Sequence, residues 1–168
     1  MPRMPDFGGW TLREKKQRLV AAQDIPPEHP VRVFHDYYMA KRGPDGYLDR
    51  ASFNPADNLK LLPWVQILEE IEPEVFRHRV VGTAIVELLG RDNTGKPFGD
   101  GITAESKRTR LEEFRAALAG GEPILSTSSL MQEERNFIKV FRGVFPGRAG
   151  ATRLIYLPVA AVDERLGG

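Results

Sequence analysis

The 168-residue sequence contains no cysteine. That excludes disulfides, Cys-ligated zinc, iron–sulfur clusters and thiolate nucleophiles. Net charge is nearly absent too: 24 Lys and Arg stand against 23 Asp and Glu, a balance of +1. No strong sequence-independent attraction to nucleic acid or an anionic membrane is therefore expected. No apolar run approaches the roughly 18 residues needed to cross a bilayer. Residues 1–10 offer no apolar core of a secretory signal, so a cytoplasmic address is expected. The three histidines, His29, His35 and His78, share no metal-ligand spacing such as H-x-x-x-H, and no metal is expected.

What is present suits one domain with a buried core and a short extension: 41% of the residues are hydrophobic and 28% charged. Thr11 to Gln23 reads as a short basic helix, with Thr11 and Glu14 at capping-box spacing, ended by Pro26-Pro27. Pro30 to Arg42 reads as a second helix, whose Val33, Phe34, Tyr37 and Tyr38 form an apolar stripe that must pack on something. Gly43-Pro44-Asp45-Gly46 stops it. Trp64–Ile71 and Val75–Val81 alternate as a hairpin, and Thr83–Leu89 switches to a helical period. Ser106–Ala119 is a longer helix with Leu111, Phe114 and Leu118 inward and Glu112 and Glu113 outward, stopped by Gly120-Gly121. Three strands follow: Pro123–Met131, Phe137–Phe145 and Thr152–Leu157. The expected architecture is α+β, a five-stranded antiparallel sheet with helices on one face and a small-molecule cavity between the layers.

Several segments carry chemical suggestions. Gly90-Arg91-Asp92-Asn93-Thr94-Gly95-Lys96-Pro97 approximates a phosphate-binding loop. Proline, however, replaces the Mg²⁺-binding hydroxyl, and the loop follows a helix instead of a strand. A glycine-rich connector is the better reading. Ser126-Thr127-Ser128-Ser129 has no G-x-S-x-G elbow and reads as a polar strand, one hydroxyl set of which points inward. Arg79, beside Val80 and Val81, would need a carboxylate if buried, and Asp92 is the expected partner, as salt bridge or ligand anchor.

The strand–strand–helix–connector–helix–three-strand order resembles the PAS fold. Val86-Glu87-Leu88-Leu89-Gly90 with Thr94-Gly95-Lys96-Pro97-Phe98 looks like the PAS segment where a small helix ends in Leu-Gly and runs into a Gly-Lys turn. Leu111 to Gly121 resembles the long PAS helix. More narrowly, Arg50 to Pro55, Leu61-Leu62-Pro63, Arg79 to Thr83 and Gly90 to Gly95 are similar to motifs of small stand-alone PAS proteins common in alphaproteobacteria. The resemblance covers roughly residues 38–161.

That resemblance implies a sensory or regulatory module, not an enzyme, with no output domain of its own. PAS domains commonly hold a ligand between sheet and helices and pass its state to a partner surface. The haem type carries a histidine on the long helix and the flavin type a cysteine in the connector. Neither residue is here, so an unidentified small molecule is the implied ligand. Expected cavity residues are Phe76, Ile85, Leu89, Phe98, Phe114, Leu118 and Phe141. Arg79, Thr83, Arg91, Asp92 and Thr94 are family-motif polar residues, structural or ligand-anchoring. The expected domains are an N-terminal helical extension over 1–46, a PAS-like domain over 47–163 and a tail over 164–168. A homodimer through Val33, Phe34, Tyr37 and Tyr38 is expected, packing of that stripe on its own domain being the equal alternative, with a separate signalling protein as partner. The alternative is a ligand-free dimerisation or adaptor domain.

Overall fold

The computed structural model describes residues 13–133 and 136–167. Eight strands and three α-helices follow in the order β1 (Arg13–Leu19), α1 (Pro30–Lys41), β2 (Leu48–Asp49), β3 (Gln66–Glu72), β4 (Val75–Val81), α2 (Thr83–Leu89), α3 (Ala104–Gly120), β5 (Ile124–Glu133), β6 (Asn136–Ala149), β7 (Thr152–Tyr156) and β8 (Val159–Ala161). The main path across the sheet is β1-β5-β6-β7-β3-β4, antiparallel at each step, with β8 antiparallel and the two-residue β2 parallel to β6. The five strands read from the sequence form the contiguous run β5-β6-β7-β3-β4 of this path. The long strand β6 is the spine, pairing β5 along Phe137–Val144 and β7 along Phe145–Ala149.

The basic segment read as a helix is instead the edge strand β1. It pairs antiparallel with β5, from Arg13 opposite Met131 to Leu19 opposite Ser126, with an irregularity between Lys15 and Arg18. Val20 then donates its N–H to Leu125 O at 3.0 Å. The open hydrogen-bonding edge of β5 outweighs the weak helix preference of a charged run. Thr11, the expected cap, lies outside the described residues.

Helices cover both faces of the sheet, not one, because alternate residues of its strands point to opposite sides. Phe145 of β6, Tyr156 of β7 and Ile67 of β3 share a core with Phe34 and Tyr38 of α1. Their neighbours Val144, Ile155 and Leu68 pack with Phe114 and Leu118 of α3. Val140 and Leu130 on that second face pack with Ile85 of α2. Gly143 leaves room for the Phe145 ring and for α1: a Cβ there would lie 2.3 Å from that ring and 3.2 Å from Val31 Cγ1. His29 caps α1, with Val31 N–H donating to its Nδ1 at 3.0 Å, so the proton sits on Nε2, which donates to Ala161 O at 2.8 Å.

The expected boundary at residue 46 therefore divides one core. Phe34 and Tyr38 are fully buried and have no surface left for a partner, while Val33 and Tyr37 are half-buried against the same cluster. The α1 stripe holds its own domain together. Thr103 caps α3, its Oγ1 accepting from Ser106 N–H at 3.2 Å, and Gly121 ends it at φ 65°. No helix among the described residues is long and apolar enough to cross a membrane.

Candidate functional site

Between the sheet and the α2–α3 layer lies a cavity of about 70 Å³. Its apolar wall includes Leu89, Phe98, Leu130 and Val159, and its polar wall is built from Gln66, His78, Asn93, Asp100, Arg110 and Arg142. Larger grooves of about 360 and 390 Å³ exist. They lie beside the exposed Leu59 and among the loop residues Gly43–Gly46, and neither gathers buried ionisable side chains.

Strand and helix periodicity place the charged groups. On β4, Phe76 and His78 point inward while Arg77 and Arg79 point out. His78 is 5% exposed, and its buried Nδ1 has no hydrogen-bond partner. Burial is the main cause pushing its pKa from 6.5 down to about 4; Asp100 and Asp92 oppose this and Arg91 adds to it. On α3, Arg110 shares the inward side with Phe114 and Ala117, one and two turns on, and is 2% exposed. On β6, Arg142 sits between inward Val140 and Val144 and is 5% exposed. Its Nη1 donates to Ser128 Oγ at 3.3 Å. Ser128 therefore belongs to the hydroxyl set facing the helices, whereas Thr127 donates to Val140 O at 2.8 Å.

A buried polar network ties this wall to the edge of the sheet. Arg110 Nη2 donates to Gln17 Oε1 at 2.8 Å, and Gln17 Nε2 donates to Glu113 Oε2 at 3.0 Å. Arg110 Nε lies 3.2 Å from Glu113 Oε1, an ion pair across one helical turn. Glu113 is thus turned inward, contrary to the expectation from its place beside Glu112. Gln17 belongs to β1, so one cavity side chain is bonded directly to the edge strand.

The structure divides the expected cavity residues. Leu89 and Phe98 line the cavity. Phe76, Phe114 and Leu118 form the adjoining core, with Phe114 ring centroids 5.1 Å from Phe76 and 5.0 Å from Phe98. Ile85 fills the core under α2. Phe141 faces the other way, edge-on to His29 at 5.1 Å under α1, because it is one residue out of step with Val140 and Arg142.

The motif residues take separate places. Arg79 is exposed, needs no buried partner and pairs with no carboxylate among the described residues. Asp92 instead accepts from Thr94 N–H at 2.9 Å and Thr94 Oγ1 at 2.5 Å, closing a turn. Thr83 opens α2 on the exposed side, and Arg91 is half-buried near His78. The phosphate-loop look-alike runs along β4 and covers the sheet edge. Gly95 N–H donates to His78 O at 2.7 Å, His78 N–H to Lys96 O at 3.0 Å and Phe98 N–H to Phe76 O at 2.8 Å. Those backbone groups are engaged with the strand and form no phosphate cradle. The same loop roofs the cavity.

His78, Arg110 and Arg142 were not singled out as ligand residues from sequence. The available signal was position: each occupies an inward step of an otherwise apolar stripe, where a charged or titratable side chain needs a reason. Comparison with protein families finds a match to the PAS domain over residues 27–140. The match includes α1 and ends within β6, leaving β7 and β8 to complete the sheet beyond it. Comparison with curated proteins found no match, and neither did comparison with solved structures.

Proposed function

Because the chain belongs to the PAS domain family, a class of sensory and regulatory modules, we propose that it binds a small molecule in the cavity beneath α2 and α3 and performs no bond chemistry on it. The observation that carries this reading is the convergence of His78, Arg110 and Arg142 on one internal space. Burying such groups is unfavourable unless they meet partners or an occupant. The α1 face of the same sheet buries His29 and Thr127 among apolar side chains but no arginine among the described residues, whereas this face buries two.

The readout follows from the Arg110 network. An occupant that draws on Arg110 competes with Gln17 and Glu113 for the same guanidinium. Occupied and empty states then differ in how firmly β1 is tied to α3, a shift between two packings of an edge strand. The α1 stripe does not supply this response, since its side chains are engaged in the opposite core.

A fragment library of neutral, cationic and anionic compounds, followed by amide NMR on the full chain, tests the reading. Binding is expected to shift the signals of Leu130, Val159 and Asn93 together. No shift at these positions with any fragment would overturn it.

A further inference from the structure

We propose that the occupant of this cavity is a small monocarboxylate. The proposal rests on the reading of the cavity as a ligand site and adds the chemical class. Two guanidinium groups line it: Arg110, which is already ion-paired with the buried Glu113, and Arg142, while the one lining carboxylate, Asp100, is exposed where the connector meets solvent. Both arginines are more than nine-tenths buried, as is His78. Neither guanidinium is idle: Arg110 holds Gln17 and Glu113, and Arg142 holds Ser128. A guanidinium nevertheless carries five N–H donors in a planar fork that matches the two oxygens of a carboxylate. His78 Nδ1, without a partner, supplies a further donor in the tautomer that protonates that nitrogen.

Size narrows the class further. A water occupies on the order of 10–15 Å³ on this measure of volume, so 70 Å³ accommodates about five non-hydrogen atoms. Acetate fits, and pyruvate is at the upper limit. A nucleotide, a flavin or a haem does not fit, since pockets for such groups run to several hundred Å³, about 300 or more. Leu130 and Val159, the latter directly across the strand pair from Arg142, give the cavity apolar surface that suits a short carbon skeleton beside the charged groups.

The experiment is calorimetric titration of the full chain with acetate, pyruvate and the neutral isostere acetamide at fixed ionic strength. The carboxylates are expected to bind and acetamide to bind at least tenfold more weakly. Arg142→Gln is expected to weaken carboxylate binding tenfold or more. As that variant removes a buried group and is at risk of misfolding, Val159→Ile serves as a second test. It narrows the cavity while leaving both arginines in place, and the same loss is expected. Equal binding of acetate, pyruvate and acetamide would overturn the carboxylate class and leave the ligand-site reading standing. Carboxylate binding undiminished in both variants would place it elsewhere on the surface and overturn the proposal. Failure of the carboxylates alone, with a neutral fragment shifting Leu130 and Val159, would likewise overturn only the class. Failure of every probe overturns both.

Discussion

Acidification from pH 7 to pH 4 is expected to weaken the fold through His78 by about 3 kcal/mol. The imidazole is buried between the sheet and Phe98, with ring centroids 5.8 Å apart, and its pKa is held at about 4 against an ordinary 6.5. Asp100, Asp92 and Arg91 face it from the connector, and Arg110 and Arg142 share its cavity. The folded pKa is the lower one, so between the two values the unfolded chain binds more protons. Stability is therefore full above about 6.5 and falls as the pH drops towards 4. Integrating the proton difference gives about 2 kcal/mol lost at pH 5 and about 3 kcal/mol at pH 4. His29, also buried and lowered mainly by desolvation, acts in the same direction. Urea unfolding at half-unit steps of pH on the natural chain and on His78→Gln isolates the contribution. The variant is expected to be less sensitive to acid by that difference, whatever its stability at pH 7. Parallel curves for the two proteins would refute the reasoning.

Other consequences follow from the same packing. Phe34→Ala should destabilise by about 3–5 kcal/mol, because the ring touches Phe53, Phe145 and Tyr156 at centroid distances of 4.8 to 5.9 Å. Calorimetric melting checks it, and an unchanged midpoint with an altered oligomeric state would assign the α1 stripe to association instead. Gln17→Ala removes the two bonds that the Gln17 side chain makes to α3 and should loosen the edge strand by about 1–2 kcal/mol. Hydrogen exchange should then accelerate over Arg18–Val20, while exchange at β6 and β7 is unchanged. Thr103→Ala loses the cap of α3 and should cost about 1 kcal/mol in denaturant titration.

The strands and the two longer helices were legible from different patterns: short apolar runs such as Ile67-Leu68 in β3 and Leu154-Ile155-Tyr156 in β7, bounded by turns, and apolar residues at every third or fourth position in α1 and α3. The turn glycines were legible as well. Gly90 and Gly121 do take φ of 83° and 65° at the ends of α2 and α3. The edge strand was not. Arg13–Leu19 contains almost nothing apolar, and its conformation is decided by the free edge of β5, more than a hundred residues away. The covering of both sheet faces was hidden for a related reason. A strand with apolar residues on each side, such as Phe145 beside Val144, shows that both sides are buried but not which helix covers which.

The site was half legible. Leu89 and Phe98 could be found because apolar residues near a connector are natural cavity walls. Phe141 was misplaced by one step of the strand, enough to send a side chain to the opposite face. His78 and the two arginines were passed over because charged side chains are ordinarily assigned to solvent. Registering them against Phe76, Phe114 and Val144 would have turned them inward.

The most direct test of the central claim is the imidazole ¹⁵N spectrum of His78 in the full chain during titration with acetate. An occupant held by Arg110, Arg142 and His78 should move the Nδ1 signal saturably, with a midpoint equal to the calorimetric one, while His29 stays fixed. Saturating heat with an unmoved His78 signal would contradict the account, because the carboxylate would then be bound outside the cavity.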